Sequence, residues 1–208
     1  MLYCFRKQGD CMKKRFINSC ISLITKYGNY SKRDIQKLEY GLEGIYLTFT
    51  KMVVIFALAF ILGIFKEVII VLILFNAIRY TGFGFHAEKS YQCLIISIVN
   101  FILIPWIFLN IKLSNIMSLS IAIFCIINYL IFAPADTIKR PLPNRKKRII
   151  RKVITVLIGI IYTFLIIILN NKYYTSLVIS SMIILMIVIN PLTYMIFKQP
   201  YNNYKKLS

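Results

Sequence analysis

Histidine and acidic side chains are scarce in this sequence. Its 208 residues include one histidine and 7 aspartate or glutamate residues, against 26 lysine and arginine residues. Protein metal centres draw mainly on histidine, cysteine and carboxylate ligands, so this composition argues against a histidine-based metal centre, and we expect no cofactor. The 5 cysteines are odd in number and show no Cys-x-x-Cys spacing. The sequence therefore predicts neither a disulfide framework nor a zinc site.

Long apolar runs make up most of the chain. Hydrophobic residues account for 59% of the sequence and the mean hydropathy is +0.72, whereas a soluble domain is about 45–50% apolar. The approximate limits of the runs are 48–65, 67–80, 93–109, 113–133, 153–169 and 174–197. We predict an all-α, polytopic helical membrane protein with about six transmembrane segments. The second run is shorter than the ~17–25 residues of a full span, so it either extends through the turn at Arg79 or forms a half-buried element.

The distribution of positive charge predicts the orientation of these segments. A net charge of +19 would suit nucleic-acid binding in a soluble protein, but the hydropathy favours the positive-inside bias of a membrane protein. Lys66, Lys112 and Lys172 fall in the loops of one side, and the remaining 23 of the 26 basic residues fall on the side of the termini. We therefore expect both termini in the cytoplasm, and anionic lipid or an acidic substrate, not nucleic acid, as the electrostatic partner.

The N-terminal region is basic and amphipathic. Apolar side chains recur at helical spacing within residues 10–30, with lysine and arginine around them, which is typical of a helix lying in the membrane interface; packing against a soluble protein is the alternative. Ser31 is predicted to cap a second helix, with Asp34 at the capping-box position. The predicted division is residues 1–47 as interfacial helices, 48–197 as a six-span membrane domain and 198–208 as a cytoplasmic tail.

A polar segment at residues 79–93, RYTGFGFHAEKSYQC, separates the second and third apolar runs. It contains the only histidine, His86, and Cys93 seven residues later. Thiol and imidazole are the minimum for thiolate catalysis, because the imidazole takes the thiol proton and the thiolate then attacks a carbonyl carbon. On one continuous helix the two residues would lie about 10 Å apart along the axis. The pair can therefore react only if a turn folds His86 back over a helix that begins near Cys93.

Two features of this segment favour such a turn. Gly82 and Gly84 give the backbone the freedom to turn just before His86. Cys93 would lie in the first turn of the next helix, where the dipole favours a thiolate and backbone N–H groups could form an oxyanion hole. The alternative interpretation is that His86 and Cys93 are loop residues with no chemical role, and the pattern alone leaves both interpretations open.

The loop at residues 134–152 contains three prolines and eight basic residues. These charges either hold the loop in the cytoplasm against anionic headgroups or dock an acidic segment of a peptide substrate, with Lys139 and Arg140 foremost. Asp136 is the sole carboxylate of the stretch. It would pair with Lys139 or Arg140, or with His86 across the cytoplasmic face.

Two stretches of the chain resemble the AgrB family, the accessory gene regulator proteins of Gram-positive quorum sensing. One is the pattern formed by Arg79, Gly84, His86, Ala87 and Cys93, and the other is the segment 133–137 with Lys139 and Pro141 after it. The length, the basic N-terminal region and the six apolar runs also fit, so the resemblance covers nearly the whole chain. Where many members have a glycine pair before the histidine, this chain has Gly82-Phe83-Gly84-Phe85, and the two phenylalanines are expected to alter how the turn packs.

The resemblance implies a membrane cysteine endopeptidase that processes an AgrD-like propeptide into a cyclic autoinducing peptide. By this analogy Cys93 is the nucleophile, His86 is the base, and Arg79 and Gly84 match family positions needed for activity. The acidic tail of the propeptide is cut off and its core stays on Cys93 as an acyl-thioester. A nucleophile within the peptide, typically its own cysteine, then takes the acyl group and closes a thiolactone ring. The resemblance also implies a homodimer.

The sequence does not decide which residues would assist His86 and Cys93. Asp136 and Glu88 are candidates to orient His86, and Gln92 is a candidate donor to an oxyanion. A Cys–His dyad without a third group is equally acceptable.

Two functions from other classes also fit parts of the sequence. A peptide transporter or exporter would need ionisable groups or broken helices near the membrane midplane, and the predicted spans offer little beyond Asn76, Asn100, Asn128 and Pro105. A basic membrane scaffold would explain the charge but would leave the His86–Cys93 arrangement without a role.

Overall fold

The computed structural model describes residues 2–26, 30–85, 90–111, 113–137, 142–169, 171–201 and 203. The α-helices in this part of the chain are α1 Leu2–Thr25, α2 Lys32–Ile61, α3 Phe65–Gly82, α4 Ser90–Ile98, α5 Ile104–Asn110, α6 Asn115–Phe132, α7 Arg145–Leu169, α8 Lys172–Ile189 and α9 Pro191–Ile196. A π-helical segment, Val99–Leu103, joins α4 to α5. Within the described ranges there is no β-strand beyond one isolated bridge, which confirms the predicted all-α class.

The chain forms two compact units, with the boundary between Val54 and Ile55. In the N-terminal unit, Lys13 Nζ lies 2.7 Å from Glu43 Oε1, and the rings of Phe16 and Tyr46 pack with their centroids 5.4 Å apart. These contacts tie α1 to the first half of α2. The division at residue 47 that the sequence predicts concerns where the chain enters the membrane, and it stays a prediction.

Ser31 caps α2 as its sequence predicts. The Asp34 backbone N–H donates to Ser31 Oγ at 3.3 Å, and Ser31 Oγ donates to Asp34 Oδ2 at 2.6 Å. The cap satisfies one of the backbone donors that a helix start leaves without an intrahelical partner. From this cap α2 runs without a break to Ile61.

Five helical stretches in the described part of the chain are long and apolar enough to cross a membrane: Arg33–Ile61, Tyr91–Asn110, Asn115–Phe132, Arg145–Leu169 and Lys172–Ile189. The protein is therefore a multi-pass membrane protein. The short second run of the sequence belongs to α3, an 18-residue helix that includes Lys66, Glu67 and Arg79 and extends to Gly82. At 1.5 Å per residue α3 is about 27 Å long, close to the ~30 Å thickness of a bilayer core.

The most buried helix is α8, which packs against α3, α5, α6 and α7 at the centre of the C-terminal unit. Its buried serines bond to carbonyls of their own helix, Ser180 Oγ to Ser176 O and Ser181 Oγ to Val178 O, both at 2.7 Å. Small side chains with internally satisfied hydroxyls let neighbouring helices approach closely. The site described below lies at the C-terminal end of α8.

The outer faces of the surrounding helices are apolar. Ile73 on α3, Ile123 on α6 and Ile160 on α7 are 65%, 53% and 49% exposed. Such exposure would be costly in water but suits contact with lipid acyl chains.

Two of the apolar runs are not single α-helices. The last run breaks at Asn190, because Pro191 has no N–H and disfavours a helical residue before it; α8 ends at Ile189 and α9 begins at Pro191. The third run contains the π-helical segment Val99–Leu103 just before Pro105. A π-turn there accommodates the ring and missing donor of the proline.

Candidate active site

The turn that follows α3 is fixed by backbone hydrogen bonds to two distant segments. Gly84 N donates to Ala135 O at 2.9 Å, Ala135 N donates to Gly82 O at 3.1 Å, and Phe85 N donates to Val188 O at 2.9 Å. Phe83 and Ala135 form an isolated parallel bridge. The residues leading into His86 are thus held between the loop after α6 and the last turn of α8.

Gly84 is the residue that makes this close approach possible. Its φ is +116°, and a Cβ at this position would lie 2.6 Å from Val188 Cγ1 and 3.0 Å from Val188 O. Residues other than glycine avoid this φ, and the contact with Val188 leaves no room for a methyl group. The sequence-based expectation of a tight turn here has its physical basis in both constraints.

The two phenylalanines of the turn act as anchors. Phe85 is 4% exposed and packs with its ring centroid 5.7 Å from Tyr194 and 4.8 Å from Phe197. The guanidinium of Arg151 lies 4.3 Å from the centroid of the Phe83 ring, within the range of a cation–π interaction. In this chain aromatic packing therefore fixes both ends of the turn.

Arg79 connects the turn to α4. Its Nη2 donates to Phe85 O at 3.3 Å, and its guanidinium lies 5.3 Å from the centroid of the Phe75 ring. Arg79 also lies close enough to Cys93 and to Tyr194 for electrostatic interactions with both. A permanent cation is thus positioned near the only cysteine of α4.

Cys93 is the fourth residue of α4 and is present as a half-buried thiol. It therefore lies in the first turn of the described helix, as its sequence predicts. Gln92 precedes it and is also half-buried. The backbone N–H groups at the start of a helix have no partner within the helix and carry its positive dipole end.

Asp136 is buried on the other side of the turn. It is 1% exposed, and its Oδ1 accepts a hydrogen bond from Asn203 N at 2.9 Å. The next residue, Thr137, is 5% exposed, and its Oγ1 has no hydrogen-bond partner among the described residues. The loop after α6 therefore brings a carboxylate and a hydroxyl into the interior beside the Phe83–Ala135 bridge.

Tyr194 on α9 joins this loop to the turn. Its hydroxyl lies 3.4 Å from Ala135 O and 3.3 Å from Asp136 O, to which it donates. Burial, followed by smaller effects of Tyr201 and Asp136, raises the pKa of the Tyr194 phenol above its usual range. The phenol is a protonated donor at neutral pH, as any tyrosine is, and the raised pKa keeps it protonated further into the alkaline range.

The structure brings together some of the residues singled out from the sequence and does not describe others. Arg79, Gly84, Cys93 and Asp136 lie around one turn, and Gln92 adjoins Cys93. Outside the described residues lie the histidine and acid of the turn and the first two basic residues of the loop: His86, Glu88, Lys139 and Arg140. In the described part of the chain, no group of three or more His, Cys, Asp or Glu side chains could hold a metal ion.

Sequence reasoning missed the residues that support this turn from elsewhere. Val188, Tyr194 and Asn203 all contact it or the loop beside it. The Asn190-Pro191 dipeptide is a helix-breaking signal and could have located α9, but nothing local indicates which surface α9 covers.

These features agree with a comparison to known proteins. The family profile described as Accessory gene regulator B matches residues 17–189. The chain belongs to the AgrB family. This membership confirms the resemblance that the two sequence stretches indicate, and it gives the protein a role in the accessory gene regulator quorum-sensing system.

Relatives from three genera are similar over most of their length. An AgrB-like protein of Listeria innocua is 34% identical over 173 residues, covering 82% of this chain and 83% of the relative. An AgrB-like protein of Clostridium acetobutylicum is 32% identical, covering 82% of each chain. Accessory gene regulator protein B of Staphylococcus carnosus is 30% identical over 155 residues, covering 74% of this chain and 81% of the relative. No solved structure matches this AgrB family member.

Proposed function

We propose that this protein is a membrane cysteine endopeptidase that cleaves an AgrD-like propeptide and promotes its closure to a thiolactone autoinducing peptide. The observation that carries the proposal is the half-buried Cys93 thiol in the first turn of α4, within electrostatic range of Arg79. Positive charge beside this cysteine would stabilise the oxyanion that forms when its thiolate attacks a carbonyl carbon.

The proposed reaction has two acyl transfers. The imidazole of His86 takes the Cys93 proton, and the thiolate attacks the carbonyl carbon of the scissile peptide bond. Collapse of the tetrahedral intermediate breaks the C–N bond, His86 returns the proton to the leaving amine, and the peptide core stays on Cys93 as a thioester. A cysteine thiolate within the peptide then attacks that thioester, which closes the ring and regenerates the Cys93 thiolate.

The second transfer needs no further energy source, because one thioester replaces another. Hydrolysis would instead discard the activation of the acyl group. A site at the membrane surface that excludes water from the thioester favours exchange. The turn at residues 83–85, with Phe85 buried against Tyr194 and Phe197, would form one wall of such a site.

Other residues take supporting roles in this proposal. Arg79 places positive charge near the thiolate and the developing oxyanion, and Gln92 and the N–H groups at the start of α4 are candidate oxyanion donors. Asp136 is a candidate to orient His86, since it is held in place by Asn203 N. Lys139 and Arg140 are proposed to attract the acidic tail of the propeptide. An ion pair at a protein surface is worth up to ~1 kcal/mol.

Trapping the intermediate tests this function directly. Membranes containing the full-length protein are incubated with candidate propeptides, quenched in acid and analysed by intact-mass spectrometry. We expect an adduct with the mass of the propeptide lacking its tail, located on Cys93 and removed by neutral hydroxylamine, which cleaves thioesters. A Cys20→Ser variant should carry the same adduct, and cleavage that leaves no hydroxylamine-sensitive adduct on Cys93 would contradict the mechanism.

The proposal also requires the site to face the cytoplasm, where a thiol stays reduced. The two ends of α7 offer a matched pair of test positions, because Asn144 caps α7 and Asn171 caps α8 through their Oδ1 atoms. Introduced into separate variants, Asn171→Cys is expected to react with a membrane-impermeant thiol reagent in intact cells. Asn144→Cys should react only after permeabilisation. Equal labelling of both in intact cells, above the level of the parent protein, would contradict the proposed orientation.

The internal amides of the spans give little support to the transporter alternative. Asn76 Nδ2 donates to Leu72 O at 2.8 Å and Asn128 Nδ2 donates to Phe124 O at 2.9 Å. Each of these bonds lies within one helix turn, so both side chains can be explained as locally satisfied polar groups. By family resemblance we expect the endopeptidase to act as a homodimer.

A further inference from the structure

A cavity of about 470 Å³ lies beside the end of α6, and the turn residues 83–85 are not among its described lining residues. Its walls are residues 131–134, the first two turns of α7, and Tyr201. The volume is within the ~300–1,000 Å³ typical of small-ligand sites. Nothing in the proposed endopeptidase mechanism uses this cavity.

The cavity is lined by three cations from one face of α7. Arg145, Arg148 and Lys152 line it, and none of its described lining residues is acidic. Spacings of three and four residues along a helix place side chains on the same face. The lining therefore favours an anionic ligand.

Backbone carbonyls orient two of these cations. Arg148 Nη1 donates to Leu142 O at 3.0 Å and to Pro143 O at 3.3 Å, and Lys152 Nζ donates to Leu130 O at 2.8 Å. A carbonyl is uncharged, so these bonds fix the side chains without removing their positive charge.

The same cavity has apolar walls that open outward. Ile131 at the end of α6 is 61% exposed and Ile149 on α7 is 53% exposed. After Lys152 the sequence of α7 becomes apolar up to Leu169, so the cavity lies where a basic helix end meets a membrane-spanning stretch. A soluble anion would make no use of exposed isoleucines, whereas an amphiphile would cover them with its acyl chains.

We propose that this cavity binds the phosphate headgroup of an anionic phospholipid. The phosphodiester oxygens accept hydrogen bonds from Arg145 and Arg148, Lys152 supplies a third positive charge, and the acyl chains lie along Ile131 and Ile149. Basic cavities between transmembrane helices on the cytoplasmic side are suited to anionic headgroups. This lipid site does not depend on the proposed endopeptidase activity.

Lipid titration of matched charge variants tests the proposal. The purified full-length protein in mild detergent is titrated with phosphatidylglycerol or phosphatidylcholine, and retained lipid is counted by native mass spectrometry. The wild type should retain phosphatidylglycerol in preference to phosphatidylcholine. Arg145→Gln/Arg148→Gln should weaken phosphatidylglycerol retention about tenfold. The control Lys146→Gln/Lys147→Gln removes the same charge from exposed positions of the same helix outside the cavity lining, and it should change retention less than about twofold.

Further arms separate the proposed lipid from other anions. Lys152→Gln leaves the carbonyl contacts of Arg148 intact and should weaken phosphatidylglycerol retention about threefold. This single variant therefore still tests the proposal if Arg145→Gln/Arg148→Gln does not fold. Neither inorganic phosphate nor a soluble acidic peptide, at concentrations equal to that of the lipid, should displace phosphatidylglycerol. Displacement by phosphate or by the peptide, equal retention of the two lipids, or equal losses in both double variants would each overturn the proposal.

Discussion

Cys93→Ala is expected to reduce propeptide cleavage to less than about one-thousandth of the wild-type rate, because removing a covalent nucleophile abolishes the acyl-enzyme route. Neither Cys125 nor Cys20 has an equivalent position. Cys125 is completely buried with its sulfur 4.0 Å from Met186 Sδ, and Cys20 lies near the C-terminal end of α1 instead of at a helix start. Cys93→Ser should be similarly inactive, because a hydroxyl gives up its proton far less readily than a thiol.

The measurement is the amount of released tail and of cyclic product when each variant is coexpressed with a propeptide, normalised to the protein present in the membrane. Cys20→Ala is the matched control, since Cys20 is also half-buried, and it should keep most of the wild-type cleavage. If Cys93→Ala is inserted in the membrane and keeps more than about a tenth of the wild-type cleavage, the assignment of Cys93 as nucleophile is contradicted.

Gly84→Ala is expected to have the second largest effect. A methyl group would have to enter a space 2.6 Å from Val188 Cγ1, at a φ of +116°. Backbone strain and overpacking of this kind cost roughly 1–3 kcal/mol each. Relief of the clash would lengthen the bond from Phe85 N to Val188 O and shift Phe85, the residue directly before His86. We therefore expect cleavage to fall at least about tenfold and the Tm in detergent to fall by roughly 5–15 °C.

Gly63→Ala is a control that separates the effect of the clash with Val188 from the effect of a positive φ alone. Gly63 also has a positive φ, +69°, but a Cβ there would meet nothing within 4 Å. Its alanine variant should therefore lower the Tm by only a few degrees and leave cleavage nearly unchanged. If the two alanine variants behaved alike in both measurements, the contact with Val188 would have no special importance for the site.

The helices that the sequence predicted best are those fixed by local signals. Ser31 and Asp34 are three residues apart and form the predicted cap, and the apolar stretch that follows is long enough to identify a span without any tertiary information. The second run shows the limit of this approach. The run at residues 67–80 is too short for a full span, and α3 extends it at both ends by residues 65, 66, 81 and 82. Lys66, Glu67 and Arg79 lie within this helix, and a hydropathy pattern counts their charges against a membrane helix.

In the candidate site, too, the sequence indicated which residues matter, and only the structure showed which distant residues they contact. Residue type and spacing in the sequence pointed to Cys93, His86, Gly84 and Asp136, and the family resemblance added Arg79. Their chemical roles remain proposals. The sequence could not show that the turn at Gly84 bonds to Ala135 and Val188, because these partners lie about 50 and 100 residues further along the chain. Hydrogen bonds over such separations form only once the helices have packed.

By itself, the sequence determined that the protein is an all-α, multi-pass membrane protein of the AgrB family, because hydropathy, helix caps and family motifs are read over short stretches of chain. Only the tertiary structure decided that α8 is the central helix, that Phe83 and Phe85 anchor the turn, and that Tyr194 and Asn203 support the loop containing Asp136. It also decided which basic residues of α7 line a cavity and which point away from it. The physical reason is that burial and close contact depend on which helix faces pack together, and the long outer and inner faces of these helices are nearly equally apolar.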